Sequence, residues 1–141
     1  MEYKCFHFEF ENDLTEEQER IFISAIKALR DTTIENARKM KNQLNNPIVS
    51  VLFRATPYGK MSNVAIKRAI EDIEKNMDKY LIFEKKGNKN YILKYSIRDL
   101  SSFIRDSKKK EDSLLMGLNK FIFPQMKTYP KVSISVIEEK E

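Results

Sequence analysis

An α+β fold, built as a single domain over residues 1–141, is predicted by three observations. Residues 2–10 alternate with period two, setting Phe6, Phe8 and Phe10 on one side and Tyr3, Cys5, His7 and Glu9 on the other. The stretch Ser62 to Asp78 has helical period, with Ile66, Ile70, Ile73 and Met77 in one arc. Tyr80 to Lys86 and Asn90 to Ile97 then read as a hairpin around Gly87-Asn88, residues that tolerate positive φ. Strand-period and helix-period segments are thus interspersed, and no linker of low complexity divides them.

The first helix is opened by Thr15 with Gln18, a capping box, and carries Phe22, Ala25, Ile26 and Leu29 on one stripe. A second box, Thr32 with Glu35, starts a new helix or lies within a continuous one, with Ile34, Ala37, Met40 and Leu44 inward. Asn45-Asn46-Pro47 stops the helical run, because the residue before proline is driven out of the α region. Ile48 to Ala55 reads as strand from its β-branched start, or as a short helix. Helical spacing returns at Leu100, Phe103 and Ile104 and again from Leu114 to Ile122. Pro124 and Pro130 bracket a loop before a last strand, with Val132, Ile134 and Val136 inward. One core is expected to join Phe6, Phe8, Phe10, Phe22, Ile26, Leu29, Ile66, Ile70, Ile73, Leu93, Phe103, Leu118 and Ile134.

Composition narrows the function classes. Hydrophobic residues make up 41% of the chain, too many for an intrinsically disordered one. No apolar run reaches the ~18 residues of a membrane span, and the acidic, alternating start is unlike a targeting segment. A single cysteine, Cys5, excludes an internal disulfide, so a cytoplasmic protein of bacterial or viral type is expected. The net charge of +5 is uneven: residues 1–36 carry −5 and the remainder +10. A positive field away from the first helix suits a polyanion.

Catalytic signatures are missing. The sequence has no Gly-rich phosphate loop, no CxxC and no GxSxG. His7 is the only histidine, and Cys5 lies two positions away on the same strand face, roughly 7 Å off and beyond a direct hydrogen bond. Glu71, Asp72 and Glu74 diverge around a helix beside Arg68 and Lys75, which makes them solvent-facing ion pairs. The expectation is a protein that is not an enzyme, with no cofactor and no metal.

The basic residues are better organised. The first turns after Ser62 carry Ser62, Asn63, Lys67 and Arg68, preceded by Arg54 and Lys60, while the acids come later. The turn Lys85-Lys86-Gly87-Asn88-Lys89 puts three positive charges at a hairpin tip. The run SNVAIKRAIEDIEKN followed by YLIFEKKGNKNYILKY resembles the recognition helix and wing of winged helix-turn-helix proteins, notably phage and plasmid regulators and replication initiators. The resemblance covers about a quarter of the chain. It implies a winged-helix-like core with additional N- and C-terminal strands and helices, and binding of double-stranded DNA in regulation or replication. It implies groove contacts from Asn63, Lys67 and Arg68 and backbone contacts from Lys85, Lys86 and Lys89. A homodimer would suit two half-sites, with the N-terminal helices or Leu114 to Ile122 as its seam.

The segment NPIVSVLFRATPYGKM departs from that pattern, being more strand-like than the helix expected there. Taken as strand, it leads to an α+β sandwich with helices on one face of a mostly antiparallel sheet. Such a layout favours a phage- or plasmid-encoded module that binds a host or phage protein, an inhibitor or accessory factor without nucleic-acid affinity.

Overall fold

The computed structural model describes residues 1–44, 62–100 and 112–139. Four strands, β1 (Glu2–Glu9), β2 (Leu81–Lys85), β3 (Asn90–Ser96) and β4 (Lys131–Glu138), form one antiparallel sheet ordered β2-β3-β1-β4. Between β1 and β2 lie α1 (Glu16–Asn42), α2 (Asn63–Lys75) and the short α3 (Met77–Tyr80). Between β3 and β4 lie α4 (Ile97–Leu100), α5 (Asp112–Gly117), a π-helical turn (Leu118–Ile122) and α6 (Phe123–Met126). The described residues therefore run in a β-α-β-β-α-β order with β3 inserted between β1 and β2, a split βαβ arrangement. The α+β class expected from the sequence is what forms.

Local sequence explains the helices. Both halves of the Thr15–Gln18 capping box are present, at 2.9 and 3.1 Å. The second box does not start a new helix. Thr33 is fully buried and its hydroxyl donates to the Leu29 carbonyl one turn back at 2.7 Å, so Asp31-Thr32-Thr33 lie within one continuous α1. Pro124 does not open a loop either. It has no N–H to give the preceding turn, and there the helix widens, with the Phe123 N–H bonded to the Leu118 carbonyl. The helix ends at Lys127, in the left-handed region with φ 60°. The Lys127 N–H donates to the Pro124 carbonyl at 3.3 Å and the Thr128 N–H to that of Phe123 at 3.4 Å, a Schellman cap.

Strand alternation then sorts the sheet's two faces. Phe6 and Phe8 of β1 oppose Leu93 and Tyr91 of β3, and with Phe10 they meet Phe22, Ile26, Phe123 and Met126 beneath the helices. Ile66, Ile70 and Ile73 of α2 are buried in the same core. Of the expected core, Leu29 packs against it half-buried, and Phe103 lies outside the described residues. Ile134 is a correction. It is 42% exposed and Val136 57%, because β4 is an edge strand that the helices do not overhang; only Val132 packs inward.

The winged-helix-like arrangement turns on residues 48–55, which lie outside the described residues. Among those that are described, the 81–96 hairpin forms one half of the four-stranded sheet, continuous with β1 through seven paired positions, from Tyr3–Ser96 to Glu9–Asn90. It is not a free-standing wing.

Phe22 is fully buried, so Phe22→Ala should cost about 3–5 kcal/mol of stability, read as a lower urea midpoint at unchanged slope. Lys127→Gly should raise stability by about 0.5–1 kcal/mol, read as a higher midpoint, since glycine removes the left-handed penalty of a side chain at a cap that already has its hydrogen bonds.

Candidate nucleic-acid interface

The first cluster sits at the start of α2. Ser62 is the N-cap, its hydroxyl accepting from the Ala65 N–H at 3.2 Å, so that side chain holds the helix end. Asn63 is exposed and donates to the Leu44 carbonyl at 3.4 Å, linking α2 to the turn after α1. Lys67 is half-buried and Arg68 exposed, and neither makes an ion pair among the described residues. The first turn of α2 carries no acid. Lower down, Glu74 is clamped to α1, with Arg38 Nε and Lys41 Nζ each 3.4 Å from its carboxylate.

The second cluster, at the hairpin tip, is stitched to the rest of the chain. The Lys89 carbonyl accepts from the Phe10 N–H at 2.8 Å and the Asn88 carbonyl from the Leu14 N–H at 3.3 Å. These bonds hold the tip against the connection containing Glu11 and Asp13. Lys85 Nζ lies 2.9 Å from Glu19 of α1, and Lys86 Nζ 2.7 Å from Glu84. Two of the three lysines expected to meet phosphate are therefore paired with carboxylates, and Lys89 alone is exposed without an ion pair among the described residues. Hydrogen bonds from Lys85 and then Tyr91 hold Glu19 below the usual carboxylate range. Tyr91 in turn is pushed up to about 12, chiefly by burial and then by its bond to Glu19.

The two clusters lie at opposite ends of α1. Lys85 meets Glu19 near its start, Arg30 meets Asp78 at 2.5 Å along its length, and Asn63 meets Leu44 just beyond its end. From Glu19 to Asn42 the helix spans roughly 35 Å at 1.5 Å per residue. Ser62, Asn63, Lys67 and Arg68 are thus brought together, as are Lys85, Lys86 and Lys89, but the two sets are not brought to each other. Arg54 and Lys60 lie outside the described residues.

The face of the sheet opposite Phe6 and Phe8 carries the remaining candidates. Cys5 is 1% exposed, and its thiol is raised, mainly by burial, which disfavours the nucleophilic thiolate. His7 Nε2 lies 3.3 Å from Ser135 Oγ on the neighbouring strand. No three of His, Cys, Asp and Glu among the described residues form a metal-binding group, and no described helix is long and apolar enough to cross a membrane.

Sequence reading missed the apolar surface of the final third. Met116, Phe121, Tyr129, Ile134 and Val136 are all well exposed. Alternation in β4 was a correct strand signal, but it does not reveal whether anything lies over the apolar face. The one available cue was the charge-free run Val132 to Ile137, flanked by Lys131 and Glu138.

The Glu19 contacts set a pH dependence. Its folded pKa lies below the unfolded one, so this stabilisation is complete above the ordinary carboxylate value and is lost as pH falls through the folded value. Glu19→Gln should accordingly flatten the acid limb of stability measured from about pH 6 down to pH 3. Asp72 and Glu84, also lowered by hydrogen bonds, keep a residual slope.

Compared with known protein families, characterised proteins and solved structures, the chain matches none.

Proposed function

We propose that this protein is a non-enzymatic protein-binding module, an accessory factor or inhibitor, that docks polypeptide on the exposed apolar residues of its final third, centred on Ile134 and Val136 of β4. One observation carries the reading. Of the seven large hydrophobic side chains exposed among the described residues, five fall between positions 116 and 136. Scattered single exposures are normal, whereas Ile134 and Val136 lie side by side on one face of β4, the kind of grouping that marks an interaction surface. The long edge strand that carries them has no described strand on its outer side and offers backbone groups to an incoming extended segment.

A second reading, DNA binding through α2, is favoured by Lys67 and Arg68, which lack ion pairs among the described residues near a helix N-terminus free of acids. It is weakened by the pairing of Lys85 and Lys86 and by their distance from α2. Two assays separate the readings. Peptides selected from a random library on sparsely immobilised protein should be extended and apolar at alternate positions, and should lose binding to Ile134→Lys/Val136→Lys. Mixed-sequence duplex DNA should remain unshifted in a gel at low and moderate salt. A salt-sensitive shift abolished by Lys67→Ala/Arg68→Ala, with no peptide selected, would reverse the assignment.

A further inference from the structure

β4 is eight residues long and regularly paired to β1 along its whole length, from Glu2–Glu138 to Glu9–Lys131. No described strand lies on its outer side. The phase of its free backbone groups can be read from the end of the ladder. Glu139 donates its N–H to the Met1 carbonyl at 3.0 Å, and its own carbonyl accepts from the Met1 nitrogen at 2.7 Å. Odd-numbered residues of β4 therefore bond inward to β1. The outward N–H and C=O groups belong to Val132, Ile134, Val136 and Glu138. Edge strands are ordinarily blunted by proline, a bulge, short length or a central charge. The stretch Val132-Ser133-Ile134-Ser135-Val136-Ile137 has none of these. The opposite edge, β2, is only five residues long, and residues of α1 flank it.

We propose that the occupant of this edge is a second copy of the chain, its β4 paired antiparallel to the first about a two-fold axis through Ser135. The inference rests on reading this surface as an interface and adds who fills it. A two-fold axis normal to the sheet keeps each face continuous, so a residue can oppose only one of its own parity. With Ser135 on the axis, Ile134 opposes Val136 of the other copy, twice, and Lys131 opposes Glu139, also twice. Two exposed apolar pairs and two opposite-charge pairs are then satisfied at once. Moving the axis to Ile134 sets Lys131 against Ile137, and moving it to Val136 sets Ile134 against Glu138. Of these three registers, Ser135 is the one that sets Lys131 against Glu139 while keeping Ile134 against Val136, and it leaves Val132 against Glu138. Its hydrogen-bonded pairs are Ile134–Val136 and Val132–Glu138, the residues whose backbone groups point outward. Glu139 already accepts from Lys94 at 2.9 Å, so the second copy's Lys131 would extend an existing ion pair.

The register is testable by cross-linking. On the axis, Ser135 faces its own copy in a non-hydrogen-bonded pair with Cα atoms about 4.5 Å apart, within disulfide range. Ser133 faces Ile137 and lies roughly 13 Å from its own copy. In a Cys5→Ser background, which removes the neighbouring thiol, Ser135→Cys should give a disulfide-linked dimer under mild oxidation and Ser133→Cys should not. Unmodified protein should sediment as a dimer across a concentration series. Val136→Lys, at an exposed site, should weaken that dimer about tenfold or more while thermal unfolding stays cooperative. A monomer at every concentration, a dimer indifferent to Val136→Lys, or cross-linking through Ser133→Cys would each overturn the proposal. A monomer that still selects extended apolar peptides removes only the second copy as occupant; one that selects none removes the interface reading as well.

Discussion

The structure depends on one side chain at the meeting point of its layers. Phe22 of α1 has its ring 5.3 Å from Phe8, 5.6 Å from Phe10, 5.4 Å from both Phe83 and Tyr91, and 5.9 Å from Phe123. Those partners come from β1 and its continuation, β2, β3 and α6. The first four contacts are edge-to-face, with interplanar angles from 77° to 89°, the arrangement the ring quadrupole favours. Such a cluster fixes more than burial. It sets the rotation of α1 about its axis, and the same stripe then carries Ile26, Thr33 and Ala37 inward.

Given that phase, α1 works as a strut. Its length is set by the absence of a break at Thr33, where a buried hydroxyl finds a partner in its own helix rather than ending it. A break there would have let the chain fold back and bring the start of α2 towards the hairpin. Without one, α2, α3 and β2 run back along the helix, tied successively by Asn63–Leu44, Glu74 to Arg38 and Lys41, Arg30–Asp78 and Lys85–Glu19. Individually, exposed ion pairs of this kind contribute about 1 kcal/mol or less. Their order along α1 matters more, because it keeps the two basic clusters at opposite ends.

The legible part of the sequence was local. The Thr15 capping box, the alternation in β1, the isoleucine stripe of α2 and the turn at Gly87-Asn88 each encode their structure within a few residues. The grouping of Ser62, Asn63, Lys67 and Arg68 was legible for the same reason. The illegible part depends on contacts distant in sequence. Lys85 reads as a free charge because Glu19 is 66 residues away, and nothing in the hairpin announces that its tip is bonded to Phe10 and Leu14; the Lys86–Glu84 pair, by contrast, is local. The Thr32–Glu35 box illustrates the opposite failure, a strong local signal overridden where the neighbouring Thr33 is buried within one helix. Ile134 had the alternation of an inward residue and the exposure of an edge, a difference decided by strand order alone.

Strand order also explains why the surface is uneven. In a β2-β3-β1-β4 sheet the two central strands receive the aromatic core, and the two edges differ in the helices that lead into them. β2 arrives directly from α3 and lies beside α1, so its side chains Leu81 and Phe83 are drawn into the groove with Ile23, Ile26 and Ile34. β4 is reached through the capped end of α6, where the left-handed Lys127 turns the chain onto the sheet. That turn delivers Val132 to the core, but the helices leave Ile134 and Val136 in solvent. An apolar face maintained on an edge strand carries a standing risk of aggregation. Retaining it without a proline, bulge or central charge is consistent with a surface whose solvent exposure ends when a partner binds.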